Sequence, residues 1–86
     1  GREAFDKAVP HLEAALQIGG GEADDYLALG ELLLRAQQYE KLVHLSQRSV
    51  RLFPDQAMFH VHAAQAQRAL QKWPEAIRAF GEAAAL

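Results

Sequence analysis

The sequence predicts an all-α fold, an α-solenoid built from five helices paired as antiparallel hairpins, and three observations predict it. First, the chain is self-similar at 34 residues. Phe5, Tyr39 and Trp73 align, then Ala8, Leu42 and Ala76, Val9, Val43 and Ile77, Leu12, Ser46 and Phe80, Ala15, Ser49 and Ala83, and finally Ile18, Leu52 and Leu86, with no gap. A repeat of that length marks stacked supersecondary units. Second, alanine, leucine, glutamine, glutamate and arginine dominate, while valine and isoleucine are few and threonine is absent. That mixture favours helices over strands. Third, the linkers between periodic segments are three to five residues long. Such connections bring consecutive helices together as antiparallel neighbours.

The first helix is expected over 5–18, with Ala8, Leu12, Ala15, Leu16 and Ile18 inward and Asp6 as N-cap. Pro10 then falls in the first turn, where proline is better tolerated than in the helix interior. Gly19-Gly20-Gly21 ends the helix by offering positive φ at low steric cost. The second helix runs about 24–36, capped by Asp24 or Asp25. Tyr26, Leu29, Gly30 and Leu33 form its buried stripe at i, i+3, i+4 and i+7, and Leu27, Glu31 and Leu34 a second row about 100° round the axis. The third helix covers 39–53, with Leu42, Leu45, Ser46, Ser49, Val50, Leu52 and Phe53 on one side. Pro54 disfavours helical geometry at Phe53, and Asp55 offers a cap for a fourth helix over 56–71. Pro74 suits the first turn of the fifth helix, 74–86, which is expected to bury Ala76, Ile77, Phe80, Ala83 and Ala84.

Composition narrows the function classes. A formal charge of −2 gives no general attraction to nucleic acid or anionic membranes. There is no cysteine, and no apolar run of spanning length. The first residues lack a signal-peptide pattern, and no compartment is predicted. No nucleic-acid partner, direct membrane insertion, cofactor or metal is expected. His60 and His62, two apart on a helix, point to different sides and cannot share an ion, while His11 and His44 lie on separate helices. Lys41, Arg48 and Arg51 form a basic strip without aromatics, too sparse for nucleic acid and read as a solvated face. Gly19-Gly20-Gly21 lacks the lysine-serine ending of a phosphate loop, and no acid, base and nucleophile converge. The chain is therefore not expected to be an enzyme.

Tyr26-x2-Leu29-Gly30-x2-Leu33, Ala76-x3-Phe80-x2-Ala83, Ala8-x3-Leu12-x2-Ala15 and the terminal Pro54 together resemble the tetratricopeptide repeat. The resemblance implies a right-handed superhelix. Residues 1–22 become the second helix of a truncated repeat, 23–56 a complete repeat and 57–86 a nearly complete one, in a segment of a longer solenoid. Departures are Leu42, Ser46 and Ser49 for the usual small, aromatic and small residues, His60 at the leading aromatic position, Gln67 where a large aromatic is usual, and turns at Gln37-Gln38 and Gln71-Lys72 without glycine.

The resemblance also implies a function: a non-catalytic protein–protein interaction module, a scaffold or adaptor whose first helices line a concave groove for a peptide or helix of a partner. By position the groove residues are Leu27, Glu31, Leu34 and Arg35, with Asp24 and Ala28 beside them, and Met58, Val61, His62, Gln65 and Arg68, with Ala69. The same leucines and Val61 could instead pack against neighbouring helices. A subfamily captures C-terminal carboxylates with lysine, asparagine and arginine on these rows. That clamp is missing here, and Glu31 would repel a carboxylate. The alternatives are a spacer or a self-associating segment joined through incomplete repeat ends, or a substrate-recruiting region of a multidomain enzyme.

Overall fold

A computed structural model of the chain describes residues 22–86 together with 9–11, 13, 14 and 16. The described residues are helical without strands: α1 is Ala23–Arg35, α2 Tyr39–Leu52, α3 Ala57–Ala69 and α4 Trp73–Ala85. The described N-terminal residues, including Pro10, are helical as well. The Asp6 cap, the Gly19-Gly20-Gly21 connector, and Phe5, Ala8, Leu12, Ala15 and Ile18 lie outside the described residues.

Each helix boundary has a local cause. Before α1 the Glu22 backbone N–H donates to Asp25 Oδ2 at 3.0 Å, half of a capping box. Glu22 is thus the N-cap, and Asp25 acts from inside the first turn. Likewise Gln56, and not Asp55, is the residue before α3, because 54–55 are spent on the turn after Phe53. The α1–α2 and α3–α4 turns share one geometry. Gln37 and Gln71 adopt positive φ, 59° and 62°. Gln38 N–H donates to the Leu33 carbonyl and Gln37 N–H to Leu34, while Lys72 N–H donates to Gln67 and Gln71 N–H to Arg68. This is the six-to-one and five-to-two pattern that closes helix C-termini around a left-handed residue. Two hairpins 34 residues apart therefore use the same stop, with glutamine in the conformation glycine adopts at less cost.

The helices stack as a solenoid. α1 packs on α2 and on α3, α2 also packs on α3, and α3 packs on α4. The body measures 33 × 26 × 15 Å. Its core joins Val9 and Leu16 of the N-terminal residues to Tyr26, Leu29 and Leu33 of α1, Leu42 and Val43 of α2, and Phe59 and Ala66 of α3. At its centre Tyr26, Phe53 and Phe59 form a three-ring cluster, with Tyr26 edge-on to Phe53 at 5.5 Å and to Phe59 at 6.5 Å. Such contacts add about 0.5–1.5 kcal/mol per pair beyond burial. The repeat register puts His60 opposite Tyr26, yet Phe59 enters the core. The reason is chemical: a phenyl ring desolvates at no polar cost, whereas His60 Nδ1 finds Glu82 Oε2 of α4 at 3.2 Å.

Ser46 and Ser49, which replace large or small apolar residues of the repeat, are buried on α2. Ser49 Oγ donates to the Leu45 carbonyl at 2.8 Å, so its hydroxyl is satisfied within the helix. Gln67 is less well served, since its side-chain oxygen is buried without a hydrogen-bond partner.

The expected inward face of α4 is corrected. Only Ala76 and Ala79 are buried; Ile77 is 71% exposed and Phe80 37%, and Ala83 and Ala84 are half-buried and exposed. α4 touches α3 alone among the described helices, so one narrow strip of it is covered. Leu52, expected inward on α2, is likewise exposed.

Candidate protein-docking surface

The two rows expected to meet a partner lie on α1 and α3, which pack side by side. On α1, Glu31 and Arg35 are exposed and paired at 3.7 Å, one turn apart. An exposed pair of this kind contributes about 0.3–0.5 kcal/mol and orients the side chains more than it stabilises. Leu27 and Leu34 are half-buried and lean on the core from its edge. Packing thus takes part of each leucine and leaves the rest accessible. On α3, Met58 is 43% exposed, Val61 and Gln65 are half-buried, and Arg68 is exposed. The result is a mixed surface, with aliphatic patches at Leu27, Leu34, Met58 and Val61 between the charges of Glu31, Arg35 and Arg68.

His62 departs from expectation. It does not line an open surface but is 2% exposed, one of the largest fully buried side chains. Its ring fills the space beside Gly30: a Cβ built there would stand 2.6 Å from His62 Nδ1 and 3.0 Å from Cε1. The glycine admits the α3 imidazole against the α1 backbone, so its role is to join two hairpins and not only the helices of its own. Burial lowers the His62 pKa from the usual 6.5, and the negative charge of Glu31 works in the opposite direction. His62 is held neutral at neutral pH, with a carboxylate nearby.

The two histidines of α3 accordingly serve different neighbours, His62 facing α1 and His60 meeting Glu82 of α4. Among the described residues no group of three or more metal-ligating side chains forms, and no helix is long and apolar enough to cross a membrane.

Two features escaped the periodicity. One is an exposed apolar stripe on α4, with Trp73 at 54% beside Ile77 and Phe80, at i, i+4 and i+7. The other is a leucine-floored cleft where Lys41, His44 and Arg48 of α2 come to one rim. Their i, i+3 and i+7 spacing was the available signal, but only the packing of α1 and the N-terminal residues places an apolar hollow next to it.

The family model described as anaphase-promoting complex, cyclosome, subunit 3 matches residues 2–83, a span reaching from before the first described residue into α4. No curated protein matches the chain. The matched family is of the tetratricopeptide type, whose repeats typically bind proteins and are generally non-catalytic. With its paired helices, shared turn geometry and 34-residue register, the chain belongs to the family of the anaphase-promoting complex, cyclosome, subunit 3, a tetratricopeptide-type repeat family.

Proposed function

We propose that the chain is a non-catalytic scaffold segment that receives a peptide or helix of a partner protein along the α1–α3 surface. Residues 23–56 and 57–86 act in this reading as successive repeat units, with 1–22 as the second helix of a preceding one. The observation that carries it is the row of half-exposed aliphatic side chains, Leu27, Leu34, Met58 and Val61, set among Glu31, Arg35, Gln65 and Arg68. Partly exposed apolar groups between fixed charges suit the apolar side of a helix or extended peptide, with the charges setting its register. His62 supports that surface from beneath and does not touch the partner.

The test is site-specific photocrosslinking in the full chain. A photoreactive phenylalanine analogue at Met58 should capture a partner protein, and the same analogue at Arg51, exposed on α2, should not. With the analogue kept at Met58, reversing charge at Arg35 and Arg68 together should abolish capture while helicity by circular dichroism stays unchanged, since both side chains are exposed. Capture at Arg51 but not at Met58 would refute the assignment.

A second reading, self-association, is favoured by the α4 stripe of Trp73, Ile77 and Phe80. The same analogue at Ile77 separates the two: a crosslink to a second copy supports self-association, and a crosslink at Met58 to a different protein supports the groove.

A further inference from the structure

The cleft between α1, α2 and the N-terminal helical residues has the makings of a second binding site. Its volume is about 260 Å³, and Leu16, Leu29, Leu33 and Leu45 line it; the first three are at most 3% exposed, so the accessible leucine surface is that of half-buried Leu45. None of the α1–α3 surface residues takes part. At its rim stand Lys41, His44 and Arg48, one row of α2, with Glu13 opposite. Small-molecule sites usually enclose about 300–1,000 Å³, so this hollow suits one large apolar side chain better than a free cofactor or metabolite.

We propose that this cleft docks a short acidic segment of a partner protein, which lays one apolar side chain against Leu45 and places flanking carboxylates on the Lys41–His44–Arg48 rim. Charge complementarity selects this occupant. Arg48 has no carboxylate partner among the described residues, and its guanidinium carbon lies 5.6 Å from the centre of the Tyr26 ring. Stacking on that ring holds the arginine in place, which lowers the entropy cost of engaging a carboxylate with its fork of N–H donors. Lys41 is tied to Glu13, but at 3.8 Å between two largely solvated groups. An exposed pair of that length is weak, and an incoming carboxylate can replace Glu13 at the ammonium. His44 stands on the same row of α2, three residues after Lys41 and four before Arg48.

Competing occupants fit less well. A nucleic-acid strand requires a denser basic patch with aromatic platforms, whereas Glu13 lies within this rim and Glu40 beside Lys41. A purely apolar segment would leave Arg48 without a counter-charge. The site is independent of the α1–α3 surface and stands or falls separately from it.

A peptide titration of the isotopically labelled chain, followed by two-dimensional amide NMR, tests the proposal. The probe is the capped pentapeptide Asp-Glu-Phe-Asp-Glu. Saturable shifts are expected at Leu29, Leu45 and Arg48, and not along Met58, Val61 and Arg68. Replacing the peptide phenylalanine by alanine should weaken binding at least tenfold, and a lysine-flanked phenylalanine peptide should not saturate. Lys41→Glu with His44→Glu, both exposed positions, should cost tenfold or more while the remaining spectrum stays folded. The proposal is overturned if no saturable shift occurs, if the lysine peptide binds equally, if the alanine peptide binds equally, or if the shifts fall on the α3 row. The peptide comparisons use the unaltered chain, so the result does not rest on a variant folding.

Discussion

Gly30→Ala is the most informative single change, because two opposed terms meet at one atom. In an isolated helix, alanine for glycine stabilises by about 1 kcal/mol. Here the new Cβ would lie 2.6 Å from His62 Nδ1 and 3.0 Å from Cε1. An ordinary contact requires the ring to retreat by roughly 0.8–1 Å in a region of near-crystalline packing. His62 is 2% exposed and cannot swing into solvent without opening the α1–α3 seam. Overpacking of this kind costs about 1–3 kcal/mol, so the net loss should be about 0–2 kcal/mol after the propensity gain. For a chain of this size that corresponds to a midpoint lower by up to about 16 °C. The assay is thermal and urea unfolding followed by circular dichroism, with His62→Ala and the double variant completing a cycle. In the His62→Ala background the clash is gone, and Gly30→Ala should become neutral or stabilising by up to about 1 kcal/mol. If Gly30→Ala stabilises the chain with His62 intact, the seam between the hairpins is not held by this contact, and the account of Gly30 fails.

Four further outcomes follow from the same geometry. Burial pushes the His62 pKa below its usual 6.5, against the opposing pull of Glu31, so the unfolded chain binds a proton more readily than the folded one. Stability should be full above about pH 6.5 and fall as pH drops through the lowered folded value; thermal melts across pH 5–8 should show this slope, and His62→Gln should flatten it. Gln37→Gly and Gln71→Gly relieve a side chain held at φ of 59° and 62°, and each should raise stability by about 0.5–1 kcal/mol in urea melts. Phe59→Ala removes the ring that meets both Tyr26 and Phe53 and should cost about 3–5 kcal/mol, read as loss of a cooperative melt. Ile77→Lys alters a side chain 71% exposed; stability should move by no more than about 0.5 kcal/mol, while any self-association measured by light scattering should fall.

Much of the scaffold was legible because helix periodicity and turn spacing are local properties. Tyr26, Leu29, Gly30 and Leu33 sit at i, i+3, i+4 and i+7, and all four are buried. The α1–α2 linker was equally plain, although glutamine serves where glycine was missed. What local pattern cannot supply is the number of neighbours a helix has. Ile77 and Phe80 follow the same spacing as the Tyr26 stripe, yet they face outward because, among the described helices, α4 packs on α3 alone. His62 failed in the reverse direction. Its position on the row promised exposure, and the missing Cβ of Gly30 drew it into the seam between hairpins.

The surface residues divide similarly. Glu31, Arg35, Met58 and Arg68, set on the groove rows by the family resemblance, are exposed. Leu27, Leu34 and Val61 lie between the two readings weighed for them, half in the packing and half outside it. The cleft had only a faint trace in the spacing of Lys41, His44 and Arg48, since its floor is assembled from residues as far apart as Leu16 and Leu45.

The sequence by itself determined the class of fold, the 34-residue period, the hairpin pairing and the repeat family, because each rests on spacing along a single chain. Tertiary structure alone decided that Phe59 rather than His60 enters the core, that Gly30 receives His62, that the apolar stripe of α4 stays uncovered, and that a leucine-lined hollow lies under three basic side chains. Those outcomes depend on which surfaces meet, and the free energy of a contact belongs to the pair of surfaces and not to either helix.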